Sequence, residues 1–491
     1  MQKNRKGRYR FLTIPIFLLY IAASCLLNGK IFRMGILPDK YAGIAVGIQI
    51  FLALLFLLLQ MRKTTAIFAS ILALLLTAAL GTGTVYLERT WQVMEHITAA
   101  QTEEALVSVY VKKDSVAESL KDVVDYKMGI VKELDAENTR KAADSIEEEQ
   151  GTELALTEFD NMLVMADALA EGNLRSMLLN DAYLDVLGEI PGYEWVKEDL
   201  RKLATIKTAV QKTAEAPAEG NQQTEKQDQD PQADTDAFLL YISGIDTYGG
   251  ITARSRSDVN ILAAVNPAAK EVFLLSTPRD YYVEYSVTGG AKDKLTHAGI
   301  YGVEASMDAL ERLYGRSIDY YVRMNFTGFM DIIDALGGVD VYSDREFTVP
   351  GVKTYTQGYN HVNGKEALAF ARERYSFAEG DYHRAEDQME VIRAVIDKCA
   401  SSALLSNYDS VMAGIEGSFE TSMPQEKIAE LIRGQIEDTA KWTVTSYTAL
   451  GTGKMAETYS MPGQALSVIE PDRSSVEEAK KRIEETFNKT N

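Results

Sequence analysis

Three unbroken apolar runs open the chain, at residues 11–27, 41–59 and 66–87. At 1.5 Å per helical residue the last two reach about 30 Å, the thickness of a bilayer's hydrocarbon core. From about residue 99 the pattern shortens. An apolar run at 106–111 predicts a strand, and stripes at 133–149, 160–170, 176–187 and 195–206 predict helices of a small α+β unit. Residues 211–235 (QKTAEAPAEGNQQTEKQDQDPQADT) are polar, rich in Gln, Asp and Ala, and predict a disordered linker. Beyond it, strand-length apolar runs at 238–242, 259–265, 272–276, 320–325, 339–342 and 442–449 alternate with helical stretches. Those helices are expected at 303–314, 326–336, 403–414, 425–436 and 474–487, with Gly337-Gly338 stopping the second of them. Such alternation predicts the α/β class, an α-β-α sandwich with helices on both faces of one sheet. The expected organisation is therefore a membrane domain with three spans (1–98), an accessory domain (99–210), a linker (211–235) and a larger α/β domain (236–491).

The most informative patterning lies at 366–388, EALAFARERYSFAEGDYHRAEDQ. Asn363 is a good N-cap with Glu366 three residues on as its capping-box partner, and Ala367, Phe370 and Ala371 form an apolar stripe. Arg372 and Arg374 follow. Two residues apart on a helix they would diverge, whereas on an extended segment they share a face, so the helix is expected to end near Ala371. A second helix should begin after Asp381, an acceptable N-cap, because Arg384, Gln388, Val391, Ile392, Val395 and Cys399 recur at helical period. An Arg and a Gln on the core-facing side of a helix N-terminus point to an interior site, where anions are favoured.

Composition sharpens this picture. The chain has 491 residues and a net charge of −20, and its first 98 residues carry eleven Lys and Arg against three acidic residues. That leaves −28 on the remainder, which argues against nucleic-acid binding and makes a local cationic cluster conspicuous. Five basic residues precede the first apolar run, and Arg62 and Lys63 follow the second. The positive-inside rule places both in the cytoplasm, so an odd number of spans exports everything after about Leu87. A cleaved signal peptide, or a lipoprotein signal ending at Ala22-Ala23-Ser24-Cys25, fits less well because two further spans follow. Cys25 and Cys399 are too far apart in topology to pair, so the exported domains rely on their cores.

Mixed surface charges are usually solvated, and Glu373, Glu379, Asp381, Glu386 and Asp387 could merely pair with the arginines. Convergence changes the balance. Two like charges about 6 Å apart at an effective dielectric near 20 repel by roughly 3 kcal/mol, so converging arginines call for an anion among them. Pyrophosphate suits the planar Arg fork. Other polar groups cluster at strand ends, where open α/β sheets bind ligands: Gly244-Ile245-Asp246, Arg256-Ser257-Asp258 and Thr277-Pro278-Arg279-Asp280. Asp246 and Asp258 suit a hard cation such as Mg²⁺, with turn and cap duty as the plain alternative. HExxH, paired CxxC and GxSxG are absent, and Gly451–Lys454 lacks the upstream glycine of a P-loop. His297, His361 and His383 are scattered, which suits structural roles. Tyr281, Tyr282 and Tyr285 could stack on a sugar, although exposed sheet-edge tyrosines are commoner.

Taken in order, GID at 244–246, RSD at 256–258, TPRD at 277–280, KLTHA at 294–298, NGKEALAFARER at 363–374 and DYHRAEDQ at 381–388 resemble the LytR-CpsA-Psr family of bacterial cell-envelope phosphotransferases. Three spans and an accessory domain resemble its capsule-type branch. Tyr248 stands where many members carry Arg, and KLTHA is a loose form of the Lys-containing motif. The resemblance implies transfer of a glycan phosphate from a polyprenyl-pyrophosphate carrier to a peptidoglycan hydroxyl, attaching capsule, teichoic acid or a similar polymer. It also implies a multi-pass protein of the bacterial cytoplasmic membrane with extracytoplasmic C-terminal domains. By the same resemblance Asp246, Arg279, Arg372 and Arg374 are catalytic. Arg256, Lys294, Arg384, Gln388 and Asp381 bind substrate, and Asp246 and Asp258 hold Mg²⁺ or Mn²⁺. Implied partners are the lipid-linked glycan, peptidoglycan, membrane lipid and other polysaccharide-assembly proteins. A polyprenyl-pyrophosphate hydrolase and a non-enzymatic lipid-binding regulator remain as alternatives. The donor's apolar tail needs shelter, so a tunnel is expected beside Arg372, Arg374 and Arg384. Its expected lining is Phe326, Phe329, Met330, Ile332 and Ile333 on one helix and Val391, Ile392, Val395 and Ile396 on another.

Overall fold

The computed structural model of the protein describes residues 6–98, 103–210, 236–247, 251–401, 408–415 and 417–490. The expected linker at 211–235, Tyr248 and the start of the helix expected at 403–414 lie outside them. Three helices, α1 (Lys6–Met34), α2 (Asp39–Leu59) and α3 (Lys63–Thr98), are long and apolar enough to cross a membrane. The chain is thereby membrane-anchored. At about 54 Å, α3 is much longer than a bilayer core. Its last turns bury Val93, Met94 and Ile97.

Residues 103–210 form a five-stranded sheet in the order β3-β2-β4-β1-β5. Its strands are β1 (Glu103–Lys112), β2 (Met128–Val131), β3 (Leu156–Phe159), β4 (Ser176–Asn180) and β5 (Leu200–Val210). Helices α4 (Ala136–Gln150), α5 (Met162–Ala170), α6 (Asp181–Leu187) and the single turn α7 (Trp195–Glu198) complete the unit. Two stretches differ from the helices expected there. The stretch 176–187 is a strand followed by a helix, because Ser176–Asn180 is buried throughout and the Asn180 side chain accepts from Ala182 N to start α6. A fully buried run has no polar face from which to read its period. The stretch 195–206 leaves its helix after one turn and becomes β5, which pairs antiparallel with β1 along its whole length.

The second sheet has six strands, β6 (Phe238–Ile245), β7 (Ser257–Asn266), β8 (Glu271–Ser276), β11 (Tyr320–Asn325), β16 (Phe419–Thr421) and β17 (Thr443–Thr448), ordered β16-β11-β6-β7-β8-β17. Strands β6, β7 and β8 run antiparallel, whereas β11 and β17 join in parallel. Small ladders flank it: β9 (Tyr282–Glu284) with β10 (Lys292–Lys294), β12 (Val339–Ser343) with β15 (Gly358–Val362), β13 (Phe347–Val349) with β14 (Lys353–Tyr355), and β18 (Gly451–Thr458) with β19 (Met461–Pro471). The helices are α8 (Leu295–Ala298), α9 (Val303–Tyr314), α10 (Phe326–Ala335), α11 (Gly364–Arg372), α12 (Asp381–Cys399), α13 (Tyr408–Ile415), α14 (Gln425–Glu437) and α15 (Arg473–Phe487).

Alternation along β6 and β7 accounts for the layering, since successive side chains of a strand face opposite ways. Leu239, Tyr241, Leu262 and Ala264 pack against α8, α9 and α15, while Phe238, Ile261, Ala263 and Val265 pack against α12 and α14. The α-β-α sandwich is thus built on one central antiparallel trio. A third core joins α10, α11, α12 and α13 to the β12–β15 region. Tyr281 and Tyr285 depart from the expectation of exposed edges, for both are fully buried and the Tyr281 hydroxyl donates to the Leu450 carbonyl at 2.6 Å.

The two sheets are stapled together where β1 begins. Glu103, at 0% exposure, accepts from Arg323 at 2.7 Å and from Arg254 at 2.6 Å, and Arg323 also faces Glu420 at 3.2 Å. The chain that leaves the membrane is therefore tied directly to β11. Helix α3 also meets α13, β16 and α14, and Lys40 faces Glu437 at 3.7 Å.

Candidate functional site

The strand ends and the α11–α12 junction enclose one cavity of about 660 Å³. Its position follows from local sequence. The capping box of Asn363 and Glu366 starts α11, and α11 ends at Arg372 with Glu373 extended. Glu373 Oε1 then accepts from the backbone of Arg374, Tyr375 and Ser376, which holds the turn between the two arginines. Gly380, at φ +55°, precedes α12, whose first residue is Asp381. At the β6 end Gly244 lies where a Cβ would sit 2.8 Å from that of Val259, so the strand approaches β7 more closely there than a side chain would allow.

One end of the cavity is cationic. Arg256, Arg279, Arg372, Arg374, Arg384 and Gln388 all line it, with Asp246 and Asp258. A recess of about 40 Å³ behind it shares Asp258, Arg279, Arg384 and Gln388. Asp258 accepts from Arg279 at 2.9 Å and from Thr296 at 2.9 Å, and Asp246 faces Arg256 at 4.0 Å. Arg374 and Arg384 share Asp381, at 3.6 and 3.3 Å. Gln388 donates to the Ala371 carbonyl at 3.3 Å and so ties α12 to the end of α11. Against the pull of burial, Asp258 and Glu189 raise the Arg256 pKa, while Asp258, Asp280 and Glu189 raise that of Arg279. Arg384 shifts the other way. Burial lowers its pKa and Asp381 opposes that, while Arg279 and Arg374 add repulsion, which is the mark of cations converging.

The other end is apolar. Ile242, Met324, Phe326, Phe329, Val349, Val352, Leu368 and Ile392 form its wall. Phe326 joins the two ends, because the Arg372 guanidinium lies 4.3 Å over its ring. Of the residues expected to line a tunnel, Phe326, Phe329 and Ile392 do so. Ile332, Ile333, Val391 and Val395 belong instead to the core around α10–α13, and Ile396 to the sheet core. Met330 also lies outside the wall, and the others pack against neighbouring elements rather than facing the cavity. Val349 and Val352 flank the Pro350-Gly351 turn, whose Gly351 has φ +75°. A Pro-Gly pair between apolar residues was the available sign of that hairpin.

Lys294 stands apart from the cavity wall, pairing with Asp280 at 2.9 Å, and Asp280 in turn faces Arg279 at 3.8 Å. Of the five carboxylates weighed as partners of the arginines, Asp381 serves. Glu379 pairs with Arg345, and Glu386 and Asp387 lie by His383. His297 Nδ1 meets both Asp293 at 2.7 Å and Ser460 at 2.8 Å. Because both partners meet the same ring nitrogen, this buried trio is a polar core contact and not a nucleophile relay. Among the described residues no three His, Cys, Asp or Glu gather into a metal cage.

Two wall residues come from the accessory domain and were not foreseen: Glu189, in the turn after α6, and Lys197, on α7. Glu189 accepts from Arg256 Nη1 and lies 3.9 Å from Arg279. The only local sign was an acidic residue in a Gly/Pro-flanked turn, Gly188-Glu189-Ile190-Pro191-Gly192.

A model of the LytR_cpsA_psr family matches residues 203–483. A DNA polymerase processivity factor model matches residues 63–179, from α3 to β4, and the acidic balance of the chain lends that match no electrostatic support for DNA binding. A polyisoprenyl-teichoic acid–peptidoglycan teichoic acid transferase TagU of Bacillus cereus is 36% identical over 193 residues, 39% of this chain and 62% of that protein. The protein of the same name from Enterococcus faecalis is 34% identical over 189 residues, 38% and 61% of the two chains. The chain thus spans less than two thirds of the length of these relatives. Among solved structures, B. subtilis TagV superposes with a TM-score of 0.43 at 27% identity, covering 52% of this chain and 98% of its own. TagT bound to LI-WTA gives 0.42 at 25%, covering 55% and 98%.

Proposed function

The chain belongs to the LytR-CpsA-Psr family, whose model takes in more than half of it, and we propose on that basis that it transfers a glycan phosphate from a polyprenyl-pyrophosphate carrier to a peptidoglycan hydroxyl. The observation that carries this reading is the joined cavity: an apolar wall that suits a polyprenyl tail runs into a cluster of five arginines that suits its pyrophosphate, with Arg372 over Phe326 at the junction. The relatives' names supply the polymer class, teichoic acid, and the acceptor, peptidoglycan. The body lies on the side of the α1–α2 turn, opposite Arg62 and Lys63, which supports an extracytoplasmic site on the positive-inside rule.

In this mechanism the acceptor hydroxyl oxygen attacks the phosphorus that bears the glycan. The bond from that phosphorus to the bridging oxygen breaks, and polyprenyl phosphate leaves. Arg256, Arg279, Arg372, Arg374 and Arg384 neutralise the charge that grows on the leaving phosphate, with Gln388 bonding an oxygen, so catalysis is chiefly positioning and electrostatics. Asp246, open to the cavity, takes the acceptor proton. Asp246 and Asp258 fit Mg²⁺ or Mn²⁺, since such ions use one or two carboxylates and complete their shell with phosphate oxygens and water. Bound there, the ion would neutralise donor phosphate oxygens. Lys294 holds Asp280 beside Arg279, and Asp381 sets the positions of Arg374 and Arg384.

The test is product analysis by mass spectrometry after incubating the purified full chain with a lipid-pyrophosphate-linked saccharide and peptidoglycan fragments. Transfer gives a phosphodiester-linked adduct and polyprenyl phosphate. Free glycan phosphate in the presence of acceptor would identify a hydrolase instead, and an unconsumed donor would identify a binding protein.

A further inference from the structure

The accessory domain holds a charge inside the donor site. Its turn after α6 is fixed by Glu189 N and Ile190 N, which donate to the carbonyls of Val186 and Leu187 at 3.2 and 3.1 Å, and by Ile190, buried in the accessory core. From that anchored turn the Glu189 carboxylate reaches Arg256 by a direct hydrogen bond and approaches Arg279 to 3.9 Å. These are two of the five arginines assigned to pyrophosphate. The Arg256 side chain is only 5% exposed, and a cation so buried needs a partner whether or not substrate is present. The Glu189 side chain is 36% exposed, so rotation about its own bonds can clear the seat while the turn stays in place.

We propose that Glu189 is the resident counter-anion of the pyrophosphate seat, holding Arg256 and Arg279 in the empty protein and being displaced when the donor binds. The proposal rests on reading the cavity as a donor site. Burial alone would raise the Glu189 pKa, but Arg256 and then Arg279 hold it down to about 2, so the group is an anion at every physiological pH and far too acidic to act as a base there. A ligand must therefore outcompete a tethered carboxylate. A pyrophosphate that also reaches Arg372, Arg374 and Arg384 can do so, whereas a weakly charged headgroup has less to offer in exchange. The accessory domain thus acts as a specificity element of the site.

The experiment measures binding of geranylgeranyl pyrophosphate to the full chain in detergent, comparing wild type, Glu189→Gln and Glu153→Gln. The last makes the same charge change on an exposed accessory loop outside the cavity wall. The grip that holds the Glu189 carboxyl down, discounted for its exposure, sets the expected gain in affinity for Glu189→Gln at roughly tenfold. Glu153→Gln should match wild type. If Glu189→Gln melts early for want of a counter-charge, added inorganic pyrophosphate should restore its melting temperature, and failure to do so counts against the proposal. Equal or weaker binding by folded Glu189→Gln overturns it while leaving the donor site intact. Absence of binding by every form overturns the donor reading and this proposal together.

Discussion

Replacing Arg372 by Ala separates the fold from the chemistry. On the stability side the residue contributes a stack over Phe326 at 4.3 Å, about 0.5–1 kcal/mol, and a favourable charge in the last turn of α11, about 0.3–1 kcal/mol. Against these stands repulsion from the other arginines that line the same cavity, which reaches roughly 3 kcal/mol only for a pair as close as about 6 Å. The terms largely cancel, so the melting temperature should move by only a few degrees. With donor bound the balance reverses. A charge-assisted, paired hydrogen bond to phosphate is worth about 1.5–3 kcal/mol, so kcat/KM should fall roughly 10- to 150-fold. Arg372→Lys keeps the charge without the fork and should recover only part of the loss. Thermal melts beside a steady-state transfer assay read both effects. A variant that unfolds would make Arg372 a structural residue, and unchanged kcat/KM or full rescue by Lys would refute its pairing with phosphate.

Two further predictions concern stability. Arg323→Met removes the buried cation that, together with Arg254, holds Glu103 and that also faces Glu420, and should cost about 3 kcal/mol in urea unfolding; a mild effect would show that the staple is dispensable. Asp387 is pushed up to about 8 by burial and then by the carboxylates of Asp344, Glu386 and Glu390. The folded state therefore holds a proton that the unfolded chain releases above the ordinary carboxyl range, so stability drains as pH rises through about 8. Asp387→Asn should melt higher than wild type at about pH 8 and much closer to it at about pH 5, and a pH-independent difference would contradict this.

Much of the site is legible because its determinants are local. Asn363 and Glu366 announce α11 from four residues, the Arg384–Gln388 spacing announces the inward face of α12, and Phe326 and Phe329 lie one turn apart on α10. What escapes the sequence depends on distant pairing. Strand β5 takes its form from β1, about a hundred residues earlier in the chain, and its own residues carry a mixed period. Glu189 meets Arg256 across 67 residues and two domains, and its Gly/Pro-flanked turn does not name the distant partner. Tyr281 illustrates the same limit, since its burial depends on the distant Leu450 carbonyl that awaits its hydroxyl. Helices α10 and α12 were expected to offer more wall than they do. Each carries apolar residues on more than one side, and only the neighbours decide which side faces the cavity.

The central claim is that one cavity grips the tail and the pyrophosphate of a single lipid. The most direct measurement is organic extraction of the purified full chain followed by mass spectrometry, with geranylgeranyl pyrophosphate then titrated into the lipid-free protein. Each buried CH₂ is worth about 0.8 kcal/mol, so a chain seated along Phe326, Phe329 and Ile392 should survive purification. Polyprenyl phosphate or pyrophosphate in the extract, and saturable binding that the Arg372→Ala variant weakens, is the expected result. A well-folded protein that yields no such lipid and binds none when it is supplied would contradict the claim.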